Sequence, residues 1–398
     1  MNKLYQITIL WLFYAYYSPA QTATLTQNLG HTDKIQEICV SPNGKYILSG
    51  DSKGHIILWD KDESKEIRSF YESDERINTL KFASDGMSFY SSCNSKSITH
   101  WNIETGEKLG TFEGSKESIV AFDVDNSNRL IAGNSAGELL IFDLKSRQLQ
   151  KKYPSKIRAK RPISFSFSIA ANMAVVFEPA SYGEAYQSQV IDLSSGQVPY
   201  TMVTDEYQFV NCQFSDDGVY LVALGKKESD YYGDNNVIRV FEAKTGRILN
   251  EINPLDEKKK TTLRVNLIKI NTKAGLLAIG SYDKIVLVDI KTGKKISEYD
   301  TKSDALYFDE ESGNLLISDW FHLFSINQEK AIIDKTYYCY ADPITASEIS
   351  NGKALMALGT DKGIKIFDLE KGKYITTINE EFVKIVDLEF SSDDEKIA

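Results

Sequence analysis

The sequence predicts an all-β protein built from small antiparallel sheets that repeat along the chain. Aromatic residues are abundant, with 22 Tyr and 19 Phe against 8 Pro, and aromatic side chains favour strands. A pattern of three short strands also recurs every 38 to 50 residues. Its third strand ends in turn at Asp60, Asn102, Asp143, Asp192, Glu242, Asp289, Asn327 and Asp368. One such sheet cannot bury both of its faces, whereas radial stacking around an axis buries them all. We therefore expect a β-propeller.

The first repeat, Ile35–Asp60, shows how each element is predicted. An alternating apolar strand runs to the turn Ser41–Gly44, a second strand ends at a turn with Gly54, and a third strand ends at Trp59-Asp60. Gly, Pro, Asn and Ser are the residues that tight turns prefer. The period-two alternation and the frequent turns exclude helical solenoids.

A turn of the Thr-Gly type then leads into a fourth short strand in several repeats. These turns are Glu104–Glu107, Lys244–Arg247, Lys291–Lys294 and the related Glu370–Lys373. Four strands per repeat are thus expected.

The first repeat resembles the WD-repeat β-propeller family. It contains Gly30-His31 and Trp59-Asp60. The resemblance implies a buried hydrogen-bond network of His31, Ser49, a turn Asp and Trp59. Lys53 occupies the expected Asp position, so we expect this network to be incomplete.

Later repeats match the family less well. The second keeps Trp101 without the Gly-His pair. The sixth keeps Ser281 and Asp283 but has Val288 where Trp is expected. The family implies a fold and says little about function, since propellers have many activities.

Two blade numbers fit the pattern. Eight blades are favoured, with a strand at Thr22–Leu29 completing the last one, and the propeller then spans residues 21–372. Residues 373–398 would be a partial further repeat of a chain that is truncated or continues. The alternative is seven blades followed by the start of a second ring.

Residues 1–20 are predicted to be a signal peptide. Lys3 precedes an apolar stretch, and Ser18 and Ala20 are small residues suited to cleavage before Gln21. The apolar stretch is shorter than the ~20 residues that span a bilayer, which argues against the alternative of a membrane anchor. We expect a secreted or periplasmic protein, of bacterial origin.

The four cysteines are Cys39, Cys93, Cys212 and Cys339. Their wide spacing argues against zinc binding. The first three lie in apolar strands, so we expect buried thiols.

No catalytic or metal-binding motif is visible in the sequence. The four His residues are His31, His55, His100 and His322, and none pairs with another at a metal-ligand spacing. A GxSxG motif and a phosphate-binding loop are absent from the sequence. We therefore expect a non-enzymatic protein without a cofactor or a metal.

Three segments depart from the compact repeat and are the predicted binding site. They are Lys151–Pro162, Glu178–Ser188 and Gly225–Asn236. Loops often carry function, and Tyr and Arg are enriched in binding hot spots. The candidate residues are Lys156, Arg158, Lys160, Arg161, Tyr182, Tyr186, Tyr231 and Tyr232, with Lys258, Lys259 and Lys260 as a possible extension.

The expected role is a protein-interaction scaffold whose partner is an acidic protein or a glycan. The net charge of −10 argues against nucleic acid as the partner. Two alternatives stay open: an enzyme or quinoprotein-like propeller, and a catalytic domain beyond Ala398. The tryptophans after residue 20, which are Trp59, Trp101 and Trp320, do not match the quinoprotein pattern.

Overall fold

The computed structural model describes most of the chain after residue 29. The described residues are 30–31, 33–125, 128–154, 164–177, 186–204, 207–227, 236–256, 261–309, 312–319, 322–328, 332–337, 346–350, 352, 355–360, 363–368, 373–378, 385, 387–394 and 396–397. The predicted signal peptide, the expected strand at Thr22–Leu29 and Cys339 lie outside them.

The described residues form eight four-stranded sheets, each made of consecutive strands. Sheets 1 to 4 comprise β1 (Ile35–Val40), β2 (Tyr46–Asp51), β3 (His55–Asp60), β4 (Lys65–Tyr71); β5 (Ile77–Phe82), β6 (Ser88–Cys93), β7 (Ile98–Asn102), β8 (Lys108–Phe112); β9 (Ile119–Val124), β10 (Arg129–Asn134), β11 (Leu139–Asp143), β12 (Leu149–Tyr153); and β13 (Ser164–Ser168), β14 (Met173–Phe177), β15 (Tyr186–Asp192), β16 (Tyr200–Thr204).

Sheets 5 to 8 follow the same plan. They comprise β17 (Tyr207–Phe214), β18 (Tyr220–Lys227), β19 (Asn236–Glu242), β20 (Ile248–Ile252); β23 (Val265–Asn271), β24 (Leu276–Ser281), β25 (Ile285–Asp289), β26 (Lys295–Tyr299); β27 (Ala305–Asp309), β28 (Asn314–Asp319), β29 (His322–Asn327), β30 (Ile332–Tyr337); and β31 (Ala346–Ile349), β32 (Leu355–Thr360), β33 (Gly363–Asp368), β34 (Lys373–Ile378). A two-stranded hairpin of β21 (Leu255–Asp256) and β22 (Thr261–Thr262) separates sheets 5 and 6.

The strands of each sheet pair antiparallel in sequence order, so the first strand lies at one edge and the fourth at the other. In seven of the sheets the third and fourth strands slip by one residue, which marks a β-bulge. The exception is sheet 4, where β15 and β16 pair without a shift.

Seven apolar cores join the sheets into a closed ring. Six of them lie between sheets that follow each other in sequence, from sheet 1 to sheet 7. The seventh joins sheet 7 to sheet 1, where Trp59 packs edge-on against Tyr337 with ring centroids 6.1 Å apart. Two ion pairs cross the same junction, Lys34–Asp304 at 2.8 Å and Lys61–Asp309 at 2.7 Å. Sheets 1 and 7 are therefore neighbours.

A repeated hydrogen bond supports this closure. In several sheets a side chain of the fourth strand donates to a main-chain carbonyl in the turn after the third strand of the next sheet. The pairs are Arg68 to Glu104, Tyr153 to Ser194, Tyr200 to Ala243 and Asn250 to Lys291. Tyr337 of sheet 7 makes the same bond to the carbonyl of Lys61 in sheet 1, at 3.2 Å. Sheets 7 and 1 are thus joined by the same type of hydrogen bond as sheets that follow each other in sequence.

Sheet 8 lies outside these seven cores. Its apolar cluster contains its own strands and residues that follow them, including Ile385 and Leu388. The seven cores therefore form the ring without sheet 8, which differs from the favoured count of eight. Lys373–Ile378 pairs with β33 as the fourth strand of sheet 8, whereas the sequence assigned these residues to a further repeat.

Cys39, Cys93 and Cys212 are buried free thiols, as expected. None of the described residues belongs to a helix long and apolar enough to cross a membrane.

Candidate functional site

The ring has two faces, which its turns define. We call the upper face the end where second strands turn into third strands and where fourth strands lead to the next sheet. The turns from first to second strands and from third to fourth strands lie on the lower face. Antiparallel pairing in sequence order places every turn of one kind at the same end of the ring.

The strands that flank the three predicted binding segments end at the upper face. β12 ends at Tyr153 in sheet 3, β14 at Phe177 in sheet 4 and β18 at Lys227 in sheet 5. Among the candidates, Tyr186 begins β15 and pairs with Thr204. Lys156, Arg158, Lys160, Arg161, Tyr182, Tyr231 and Tyr232 lie outside the described residues, as do Lys258, Lys259 and Lys260.

Described side chains beside these segments are polar and basic. Lys152 forms an ion pair with Glu138 at 2.6 Å. The Arg239 guanidinium lies 5.5 Å from the ring centroid of Tyr207 and pairs with Glu251 at 3.0 Å. Burial lowers the pKa of Lys226 near the end of β18. Basic side chains thus lie near the segments in sheets 3 and 5, and two of them, Lys152 and Arg239, are paired with carboxylates.

A buried hydrogen-bond network holds the upper end of sheet 1. Trp59 Nε1 donates to Ser49 Oγ at 2.8 Å, and the Ser49 hydroxyl contacts His31 Nε2 at 2.6 Å. His31 Nδ1 lies 3.0 Å from Asp51 Oδ2. The sequence placed the acidic position at Lys53, but Asp51, the last residue of β2, fills this role. The expectation of an incomplete network was therefore wrong.

Ser49, His31 and Asp51 have the order of a hydrolytic triad, but their burial rules out that use. Ser49 is 0% exposed and His31 is 1% exposed. Ser49 Oγ also accepts the Trp59 N–H, and because both side chains are buried no substrate carbonyl can reach it. The three residues stabilise the fold.

The buried Asp51 carboxylate also contacts His55, whose side chain is partly exposed. Burial acts to raise the pKa of Asp51, but the contacts from His31 and His55 outweigh it, so the pKa lies well below its ordinary value. His55 Nδ1 lies 3.4 Å from Asp51 Oδ2, which raises the pKa of His55. The His55 ring packs against exposed Tyr71, whose hydroxyl donates to Asp74. These groups form a polar patch on the upper face of sheet 1.

Sheet 2 has a corresponding network built on a carboxylate. Glu72 lies on the connection between sheets 1 and 2 and accepts hydrogen bonds from the Ser91 hydroxyl, from Thr99 Oγ1 at 2.5 Å and from Trp101 Nε1 at 3.2 Å. Trp101 Nε1 also donates to Ser91 Oγ at 2.8 Å. Glu72 thus takes the place that His31 has in sheet 1. Sequence reasoning missed it because no Gly-His pair marks the position.

No cluster of His, Cys, Asp or Glu suited to a metal ion occurs in the part of the chain that the structure describes.

Two family models match the sequence. The one described as "NWD2 C-terminal beta-propeller" matches residues 72–300, and the one described as "WD domain, G-beta repeat" matches residues 22–60. Together they cover most of the seven-sheet ring.

Curated relatives match parts of the chain. A striatin homolog of Dictyostelium discoideum is 21% identical over 65% of this chain and 26% of that protein. Apoptotic protease-activating factor 1 of Rattus norvegicus is 22% identical over 56% of this chain and 17% of that protein. The small ribosomal subunit protein RACK1 of Neurospora crassa is 32% identical over 24% of this chain and 29% of that protein. The first relatives are matched over only 6% to 29% of their own length.

A solved structure shows the same fold. The chain from Kuenenia stuttgartiensis hydrazine synthase superposes with a TM-score of 0.65 at 12% identity, covering 77% of this chain and 98% of that chain. At this identity the likeness concerns the fold alone.

Proposed function

Because the chain belongs to the NWD2 C-terminal beta-propeller family, we propose that it is a non-catalytic, exported scaffold that binds an acidic protein on the upper face of sheets 3 to 5. WD-repeat propellers act as protein-interaction scaffolds. Relatives are named as a small ribosomal subunit protein and a pre-mRNA-processing factor. A scaffold role agrees with a sequence that contains no catalytic motif.

The observation that supports this face most strongly is the uneven length of its connections. Ten residues separate β12 from β13, whereas five separate β4 from β5 and six separate β8 from β9. Eight residues join β14 to β15 and β18 to β19, against three between β2 and β3. Twelve residues, including the hairpin of β21 and β22, separate β20 from β23. The four longest upper connections between residues 35 and 309 thus lie within or directly after sheets 3, 4 and 5, and long loops on a rigid framework commonly bind partners.

The composition of these connections favours an acidic partner. Lys151–Pro162 holds six Lys or Arg residues and no acidic residue, in a chain whose net charge is −10. A basic patch of this kind steers an acidic surface into contact and selects against basic ones. Tyr182, Tyr186, Tyr231 and Tyr232 add the amphipathic side chains that anchor interfaces.

Charge reversal tests this site. Replacing Arg158, Lys160 and Arg161 by Glu is expected to reduce the capture of acidic proteins from an extract of the native host at least tenfold, measured by quantitative mass spectrometry. The matched control reverses Lys244, Arg247 and Lys291, which lie in lower-face turns, and should leave capture unchanged. Equal capture by both triple variants contradicts the proposal, and binding of acidic polysaccharide instead of protein points to a glycan partner.

Export is the second part of the proposal and rests on residues 1–20 of the sequence. The N-terminus of protein purified from its native host is expected to be Gln21, as determined by mass spectrometry. A mature chain that retains Lys3 contradicts export by cleavage.

A further inference from the structure

Each inner strand of the ring places one side chain at the same register beside the axis. In all seven sheets this residue pairs with the third residue of the second strand. Five of the seven carry an acceptor atom, namely Cys39, Asp123, Ser166, Gln213 and Tyr307. The other two are lysines, Lys81 in sheet 2 and Lys269 in sheet 6. These two lysines differ from the other five residues because they carry no acceptor atom.

Two of these acceptors, Gln213 and Ser166, bind the inner strand of the next sheet. The main-chain N–H of Ile270 in sheet 6 donates to Gln213 Oε1 in sheet 5 at 3.0 Å. Likewise, the N–H of Phe214 in sheet 5 donates to Ser166 Oγ in sheet 4 at 3.4 Å. No strand of the ring follows the inner strand on its axial side, so these N–H groups need side-chain partners.

A lysine cannot make this bond, because an ammonium group has no acceptor. The residue of sheet 7 that corresponds to Ile270 and Phe214 is Phe308, which pairs with the second residue of β28. Lys269 of sheet 6 therefore gives the Phe308 amide no such acceptor. Where other pairs of sheets form a hydrogen bond, sheets 6 and 7 have the Lys269 ammonium group and the Phe308 N–H donor.

Tyr307 adds a third donor at this point. Burial raises the pKa of Tyr307, so its hydroxyl keeps its proton at neutral pH, while the adjacent main-chain N–H of Val40 in sheet 1 acts in the opposite sense. A tyrosine hydroxyl that keeps its proton can donate it to an anion. Lys269 Nζ lies 5.6 Å from the centroid of the same ring.

The second lysine reaches the same channel from sheet 2. Lys81 Nζ pairs with Asp123 Oδ1 at 3.3 Å, and its side chain is 43% exposed, so solvent and small ions can reach it. Burial raises the pKa of Glu37 in sheet 1, and Lys269, Lys81 and Arg76 all lower it. Because sheets 1 and 6 are not neighbours, Glu37 and Lys269 must interact across the axis. Within the described residues, no carboxylate lies within ion-pair distance of Lys269.

We propose that the axial channel binds a phosphate-type oxyanion between Lys269 and Lys81, with the Tyr307 hydroxyl and the Phe308 amide as further donors. Lys269 provides the main charge, because Asp123 partly neutralises Lys81. Glu37 opposes the bound anion and limits its affinity. Phosphate oxygens accept several hydrogen bonds at once, which suits a set of donors carried by the inner strands of sheets 2, 6 and 7.

The decisive variant is Lys269→Gln. Glutamine occupies the same register in sheet 5, where Gln213 accepts a main-chain hydrogen bond, so the variant should fold and should supply Phe308 with an acceptor. We expect its affinity for inorganic phosphate to fall at least tenfold, measured by isothermal titration calorimetry on the full chain at constant ionic strength. Its melting temperature without phosphate should equal or exceed that of the parent, which separates lost binding from misfolding.

Two further variants test whether the effect is specific to the charge of Lys269. Lys294→Gln removes the same charge from an exposed turn of sheet 6 and should bind phosphate like the parent. Glu37→Gln removes the opposing charge and should bind phosphate more tightly. The proposal is overturned if the parent shows no saturable binding in the millimolar range, if Lys269→Gln binds as well as the parent, or if Lys294→Gln weakens binding equally.

Discussion

Trp59→Ala is expected to lower the free energy of unfolding by about 4 kcal/mol, the size of effect typical for removing a buried aromatic side chain. Trp59 is 1% exposed and belongs to the apolar core between sheets 1 and 7. The substitution removes the edge contact with Tyr337 and leaves Ser49 Oγ without its indole donor. Chemical denaturation followed by circular dichroism measures the loss.

The control is Trp59→Phe, which keeps an aromatic ring against Tyr337 but cannot donate to Ser49. It should cost about 1 to 2 kcal/mol, from the lost hydrogen bond and a smaller cavity. If Trp59→Ala costs less than Trp59→Phe, the junction between sheets 7 and 1 does not depend on this ring, and closure after seven sheets is in doubt.

Glu72→Ala is expected to cost about 3 kcal/mol, because hydrogen bonds to a charged group contribute more than neutral ones and buried donors lose their acceptor. Ser91 is 0% exposed and Thr99 is 2% exposed, so water cannot readily replace the carboxylate. Thermal and chemical unfolding of the variant give the value. The effect should exceed that of Glu75→Ala, an exposed residue on the same connection between sheets.

Glu72→Gln separates charge from hydrogen bonding. The amide oxygen can still accept one of the three donors, so this variant should retain part of the lost stability, with a cost of about 1 to 2 kcal/mol. Equal costs for Glu72→Ala and Glu75→Ala would show that the carboxylate does not hold sheet 2 together.

The sequence predicts the strands of this protein with unusual accuracy. The structure ends the third strand of every sheet at the residue predicted from the repeat, from Asp60 in sheet 1 to Asp368 in sheet 8. Strand ends are predictable because alternation and turn residues act over a few neighbours. The four-stranded sheets and the propeller class follow from the same local signals.

The number of sheets in the ring could not be predicted in this way. It depends on contacts between residues nearly 300 positions apart, such as Lys335 Nζ with the carbonyl of Lys61 at 2.9 Å. Nothing local in the sequence distinguishes sheet 7 from sheet 8, since both show the same strand pattern. Only packing shows which sheet contacts sheet 1.

The buried networks and the axial lysines could not be predicted from the sequence, for different reasons. Asp51 lies two residues before the position that the family resemblance assigned, and Glu72 performs the role of a His with another residue type. Lys81 and Lys269 look like ordinary polar residues of an alternating strand. Their significance appears only when seven inner strands are aligned around one axis. The Tyr and basic residues predicted to bind a partner lie outside the described residues, apart from the backbone of Tyr186, and their role stays a prediction.

The unbroken pairing of sheet 4 has a consequence for association with other chains. Fourth strands form the outer rim of the ring, and a bulge interrupts the regular ladder in the other sheets, which discourages edge-to-edge pairing. β16 (Tyr200–Thr204) has no such interruption. An extended peptide that adds to the rim by β-augmentation would find its most regular template there, next to the segments at which we place the partner.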